Sequence, residues 1–282
     1  MKESQRLSFD FYLLMPYYNN LPGLISSLKS VSYDPSAYAI LIVDDGSGEA
    51  LRSADLSPFL PASLSVTILR QASNQGITKA LNTGMRWLSA HGNCRYVARL
   101  DCGDLCDETR FRRQVGFLDE HTDIDLVGSW CIFRNFVTGA SYRYMTPTEY
   151  KKILKGMHFR NIFIHPTVMW RNSEIARKTG AFYPENFPHA EDYGFFYEII
   201  SRGEAAVIPE YLVICEINPK GLSLFFRKEQ LKSRMRVVRQ YGKNRVFSLM
   251  GILKLWVLLA IPYKFVLQTK KIVYGIKHND VI

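Results

Sequence analysis

Apolar runs and helical periods alternate through the first half of the chain. FDFYLLMPYY (residues 9–18) is an apolar run, and LPGLISSLKSV after it carries helical spacing. YAILIVDDGS (38–47) reads as a buried strand that breaks at an acidic turn, and SVTILR (65–70) as a third strand. GITKALNTGMRWLSA reads as a helix, RYVARLD as a fourth strand, ETRFRRQVGFLDEH as a helix with Phe111, Val115 and Leu118 on one face, and DIDLVGSWCIF as another strand. Strands alternating with helices predict an α/β fold, a mostly parallel sheet covered by helices on both faces. Ligands in such sheets sit beyond the carboxyl ends of the strands. Tyr17-Tyr18, Asp44-Asp45 and Asp101 all fall at such ends.

From about Tyr142 the alternation loosens into YKKILKGMHF, IHPTVMWR and HAEDYGFFYEIISRG, the last an acidic turn opening a helix. The end of the chain differs again. LFFRKEQLKSRMRVVRQYG predicts a basic helix, and VFSLMGILKLWVLLAIPYKFVL is strongly apolar. Lys254 and Lys264 interrupt that stretch, and the uncharged piece between them, Leu255–Tyr263, is only nine residues. A spanning helix needs about 20 apolar residues, so the pattern predicts a helix lying in the plane of a membrane surface. Packing against a core or a second subunit is the competing role.

Charge sharpens this division. The chain of 282 residues has a formal net charge of +10. Residues 220–282 carry 14 Lys/Arg against Glu229 and Asp280, so the preceding residues are close to neutral. A nucleic-acid enzyme would spread basic charge around its cleft, so nucleic acid is excluded as a partner. The five cysteines are odd in number and show no second pair at zinc-site spacing. No apolar run near the start has the length of a secretory signal, which with the cysteines predicts a cytoplasmic protein, peripheral at the inner face of the cell membrane.

The candidate chemistry is acidic. Neither a G-x-G-x-x-G after the first strand nor a G-x-x-x-x-G-K-[ST] loop is present. Carboxylates repel phosphates at contact distance, and a divalent cation between them resolves the conflict. Each acidic group also has a plainer role: Asp44-Asp45 as a turn, Asp104 as a helix cap, and Glu191-Asp192 as charges on a helix N-terminus. His165, ahead of Pro166, suits a buried hydrogen-bonding role, and Tyr17 and Tyr18 suit a core.

Six segments in order, LMPYYN, ILIVDDGSGE, NQGITKALNTGM, YVARLDCGDL with RFRRQVGFL, HPTVMWR and AEDYGFFYEI, resemble a family 2 glycosyltransferase of the GT-A fold over roughly residues 9–215. The resemblance implies an inverting transfer of a sugar from a nucleotide-diphosphate donor, most often a UDP-sugar, to a glycan or polyprenyl-linked acceptor in surface-polysaccharide synthesis. It divides the chain into a catalytic domain at 1–219 (donor half 1–135, acceptor half 136–219) and a membrane-associated tail at 220–282. By the resemblance, Pro16, Tyr18, Asn19, Asp44, Asp45, Asn74, Gly76, Lys79 and Asp101 line the donor site, beside Asn82. Asp101 and Asp104 hold Mn2+ or Mg2+, Asp192 is the catalytic base, and Glu191 and His165 face the acceptor. The chain departs from the family at Gly103, where a second acid is usual. Three outcomes stay open: Asp104 replaces that acid through a loop that Gly103 loosens, metal binding is weak, or the chain is a silent binding subunit.

Overall fold

Residues 9–172, 183–217, 226–263, 265–266 and 268–269 are described by the computed structural model. Among them, strands β1 (Phe9–Tyr17), β2 (Tyr38–Asp44), β3 (Ser65–Arg70), β4 (Cys94–Arg99), β5 (Leu105–Cys106), β6 (Ile124–Arg134), β7 (Ser141–Tyr144), β8 (Met169–Arg171) and β9 (Glu204–Glu216) form one sheet. Its order is β3-β2-β1-β4-β8-β6-β9-β5, with β7 beside β6. Successive side chains of a strand point to opposite faces, and β1 shows the consequence. Phe11, Leu13 and Met15 enter one apolar cluster with Leu24, Phe111 and Leu118. Tyr12 and Leu14 enter another with Leu81, Leu88, Trp170 and Phe195. Both faces of the sheet are thus covered by helices, as the unbroken apolar runs require.

The helices are α1 (Leu21–Lys29), α2 (Ser53–Leu56), α3 (Ile77–His91), α4 (Arg110–Glu120), α5 (Tyr150–Met157), α6 (Glu191–Arg202), α7 (Arg227–Tyr241) and α8 (Arg245–Ala260). α1 starts where Asn20 caps it, its side-chain oxygen accepting the Gly23 N–H at 3.0 Å, with a proline in the first turn.

The expected mostly parallel sheet holds for the first half and for β6 beside β9, and the other pairings are antiparallel. β3, β2, β1 and β4 are parallel neighbours. Beyond them β8 runs antiparallel between β4 and β6, and β5 and β7 are antiparallel to β9 and β6. For β7 the cause is connection length. Only residues 135–140 join β6 to β7, and a parallel crossover takes a dozen or more.

The tail is also less separate than its charge suggests. Val237 and Val238 of α7 are fully buried in the cluster that contains β1 and β2 side chains. α8 packs on α7 through Leu231, Met235 and Leu255. Gly251 brings the α8 backbone so close to His158 that a β-carbon there would stand 1.8 Å from its carbonyl oxygen. α7 therefore belongs to the packed body of the chain, and only the outer face of α8 is left bare. No helix among the described residues is long and apolar enough to cross a membrane. The rest of the tail, from Lys270 onward, lies outside the described residues.

Candidate active site

Because β2, β1 and β4 are parallel neighbours, their carboxyl ends open side by side into one crevice. At the end of β2, Asp44 is wholly buried and does not line it. Its carboxylate accepts the N–H groups of Ser47 (2.9 Å) and Leu51 (3.3 Å) and the Arg70 guanidinium (2.5 Å). Burial works to raise its pKa, and these donors together hold it below the ordinary value. Asp44 thus builds the acidic turn, which corrects its placement as a donor contact. Asp45 ties that turn to the next loop: its two oxygens accept the N–H groups of Gln75 and Gly76, each at 2.9 Å. Gly76, at φ +89°, allows both amides to face one carboxylate. Oδ1 also accepts the Gln71 side-chain amide at 3.2 Å, and Oδ2 retains a lone pair for a further donor.

The other donor-side residues gather around these two loops. Asn19 donates its N–H to the Ser47 hydroxyl and accepts the Gly48 N–H, both at 2.9 Å, joining the loops after β1 and β2. The Pro16 carbonyl accepts the Cys102 thiol at 3.3 Å. Tyr18 is 49% exposed and lines a cavity of about 660 Å³ with Gly103 and Glu216, so it is not a core aromatic. Asn74 and Lys79 are exposed on the loop and first turn of α3. Asn82 faces away and holds the Tyr183 carbonyl at 2.9 Å.

The end of β4 carries a residue that motif reading passed over. Arg99 is fully buried, donating to the carbonyls of Leu14 (2.7 Å) and Leu100 (3.1 Å) and to His165 Nε2 (3.2 Å), and it forms an ion pair with Asp101. Arg99 and Asp101 stand two residues apart, a spacing that favours one face in extended chain. Burial works to raise the Asp101 pKa, and the Arg99 charge pulls it below the ordinary value. His165 Nε2 also lies 2.9 Å from the Tyr183 hydroxyl. Burial, then Arg99, pushes its pKa down to about 3, so it is neutral at physiological pH. Its ring is a buried hydrogen-bonding group on the wall of the acceptor-side cavity.

The residues at 101–104 do not form the expected two-acid metal site. Asp104 is buried between β5 and β9, accepting the Glu216 N–H at 2.7 Å. Burial, then the Asp101 charge, raises its pKa well above the ordinary value. A carboxyl buried and turned into a strand contact is not presented to a metal in the crevice. Gly103 does not loosen the loop either: its N–H is held by the Ser27 hydroxyl at 2.9 Å. A β-carbon at Gly103 would stand 2.3 Å from a carboxylate oxygen of Glu216, so the last residue of β9 fills the space the usual acid would take. No group of three or more metal-capable side chains occurs among the described residues.

Opposite the crevice, α6 begins with Glu191 and Asp192. Glu191 is buried, one of its oxygens without a hydrogen-bond partner. Burial, then the Asp192 charge, raises its pKa to about 7. Asp192 accepts the Asn161 amide at 2.9 Å and the Tyr193 N–H at 2.7 Å. Burial raises its pKa despite these donors and nearby Arg234. It lines a cavity of about 540 Å³ with Tyr142, Tyr144, Arg160, His165 and Arg234. Asp101 is close enough to Glu191 and Asp192 for its charge to bear on both. One end of the sheet thus brings together the loop acid of β4 and the acid pair of α6.

A crevice at parallel strand ends facing a buried acid pair is an arrangement that suits a group-transfer enzyme. The profile of glycosyl transferase family 2 matches residues 12–180, more than half of the chain, and the chain belongs to that family. The chain is 26% identical over 217 residues to the amylovoran biosynthesis glycosyltransferase AmsE of Erwinia amylovora, covering 72% of this chain and 74% of that one. It is 25% identical over 233 residues to an uncharacterized glycosyltransferase of Haemophilus influenzae, covering 79% and 70%. Among solved structures, S. aureus TarS 1-349 in complex with UDP-GlcNAc superposes with a TM-score of 0.62 at 15% identity, covering 88% of this chain and 72% of that one. A mannosyltransferase of Pyrobaculum calidifontis, in complex with GDP-Man and Mn2+, gives 0.62 at 13%, covering 96% and 84%. The protein is a GT-A glycosyltransferase whose relatives include polysaccharide-biosynthesis enzymes.

Proposed function

We propose that the protein moves a sugar from a nucleotide-diphosphate donor, a UDP-sugar, to a hydroxyl of a glycan or lipid-linked acceptor, with inversion at the anomeric carbon. One observation carries this reading: Asp192 opens into the acceptor-side cavity with a raised pKa and lies close to Asp101 of the donor crevice. The donor lies along the ends of β1, β2 and β4, against Tyr18, Asn19, Asp45 and Asp101, with Asn74, Gly76 and Lys79 at its flank. Asp192 takes the acceptor proton as the acceptor oxygen forms its bond to the anomeric carbon. The bond from that carbon to the diphosphate oxygen breaks on the opposite face, and its electron pair leaves with the nucleotide. No step is assigned to a metal, because Asp104 is not presented to the crevice. Similar proteins support the two substrates: TarS was solved with UDP-GlcNAc, and an Escherichia coli relative, 27% identical over 132 residues covering 46% of this chain and 45% of that one, is a UDP-Gal:alpha-D-GlcNAc-diphosphoundecaprenol beta-1,3-galactosyltransferase.

A thermal-shift panel of UDP-, GDP- and dTDP-sugars, with and without manganese, tests the donor reading. A UDP-sugar should raise the melting temperature with the logarithm of its concentration. A panel in which none shifts the protein overturns it.

The bare face of α8 supports a peripheral membrane location, at the inner leaflet. Val246, Leu249, Met250, Leu253, Trp256 and Val257 are all exposed and recur at helical spacing along one stripe. Such a stripe beside basic residues suits an anionic leaflet. The full chain should co-float with anionic phospholipid vesicles, and high salt should release only part of it. Leu253→Glu with Trp256→Glu should reduce flotation several-fold. Point substitutions are preferred to deleting the tail, since α7 supplies core side chains. Equal flotation of parent and double variant would rule this location out.

A further inference from the structure

Arg160 precedes β8, Arg234 lies on α7 and Lys254 on α8; the first two meet at the Asp192 cavity and the third stands near both. Arg160 and Arg234 line the cavity. Lys254, exposed on α8, is still close enough that partial desolvation, then the charges of Arg160 and Arg234, lowers its pKa. No carboxylate among the described residues lies within salt-bridge distance of any of the three. Asp192, the acid nearby, is held by Asn161 and by the Tyr193 amide.

Arg227, which also lines the cavity, is different. Its guanidinium caps α8 on the carbonyls of Leu258 and Ile261 and lies 5.5 Å from the centre of the Tyr263 ring. Arg160 is oriented but not spent, donating to the Tyr144 hydroxyl at 2.9 Å with its plane over that ring. An arginine has five donors in a fixed fork. Three cations gathered from three elements repel one another, and an anionic ligand between them offsets that repulsion. Forked guanidinium groups beside an ammonium suit phosphate oxygens.

We propose that the acceptor is a phosphate-bearing sugar whose phosphate or diphosphate is held by Arg160, Arg234 and Lys254, which places its free hydroxyl at Asp192. This rests on the transferase reading and narrows its acceptor to an anionic class. Two sources share the chemistry, a lipid diphosphate and a soluble sugar phosphate. The apolar stripe of α8, the helix that carries Lys254, offers a path for a lipid chain, so the lipid form should bind more tightly.

Isothermal titration of the full chain with inorganic pyrophosphate and with farnesyl diphosphate tests this. UDP is present at saturation throughout, so that the donor crevice is filled. The parent should bind pyrophosphate, and Arg160→Gln with Arg234→Gln should weaken it at least tenfold. Arg160→Lys with Arg234→Lys should restore part of the affinity. Lys254 is exposed, so Lys254→Gln should fold normally and weaken binding about threefold by itself. Farnesyl diphosphate binding several-fold tighter than pyrophosphate identifies the lipid source; equal affinities identify the soluble one, and either result supports the anionic site. The proposal is overturned where folded glutamine variants, Lys254→Gln included, bind pyrophosphate as the parent does. UDP binding is titrated separately: a parent that ignores UDP defeats the donor reading instead, and a pyrophosphate site insensitive to these substitutions with UDP binding intact defeats only this one.

Discussion

Asp192→Asn should lower turnover by about 10²–10⁴-fold while leaving donor affinity within about twofold of the parent. The substitution keeps the shape of the side chain and one of its two accepted hydrogen bonds, from the Asn161 amide or the Tyr193 N–H, and it removes the proton-accepting carboxylate. Donor affinity is insulated because the donor crevice belongs to the ends of β1, β2 and β4, whereas Asp192 belongs to α6. Burial raises the Asp192 pKa, so the parent needs a higher pH to populate its basic form than an exposed aspartate would. The parent rate should therefore rise with pH as that carboxylate ionises, and the residual rate of the variant should lack this step. Single-turnover rates across pH, paired with donor titrations, measure both quantities. A variant with near-parental turnover would move the base to another group, and Glu191, buried with a pKa of about 7, is the first to test.

The strands β1, β2 and β4 were legible because buried parallel strands are unbroken apolar runs, and those runs end where the polar loops begin. The second half was less so. β8 has three residues and β5 two, too short to carry a period, and their places are set by partners distant in sequence. β9, at thirteen residues, was missed because Pro209 and Glu210 interrupt its apolar pattern at a register shift against β6. Individual acids divide the same way. Asp101 and Asp192 could be placed by their neighbours in sequence. That Asp44 is consumed by Arg70, and Asp104 by the Glu216 amide, depends on residues 26 and 112 positions away. The pairing of Gly103 with Glu216 is of this kind too: the glycine was visible, but not the carboxylate filling its space. Arg99 offered a readable sign, a lone cation inside the apolar run YVARLD.

That arginine gives the largest expected effect on stability. Arg99→Met removes a wholly buried guanidinium and leaves Asp101, two carbonyl oxygens and His165 without their donor. Breaking a buried pair by deleting one partner costs about 3–5 kcal/mol. Asp101 is about one-third exposed (32%), so water recovers part of the loss and the lower end, about 3 kcal/mol, is expected. Arg99 holds the folded Asp101 pKa below its ordinary value of 3.8, a depressed carboxylate. Such a group adds stability above the unfolded pKa, and the gain is lost as pH falls through the folded one. The gap between parent and variant should therefore be full at pH 7 and narrow as pH drops below about 4. Urea unfolding at pH 7 and pH 3 measures it, provided the slopes of the transitions agree. Asp101→Asn should cost the parent more than it costs the Arg99→Met variant, by about 1–3 kcal/mol in a double-mutant cycle. A loss under about 1 kcal/mol at pH 7, with no change at low pH, would show that Arg99 and Asp101 are not a coupled pair. The ordering of the crevice floor would then rest on Asp45 and the α3 loop alone.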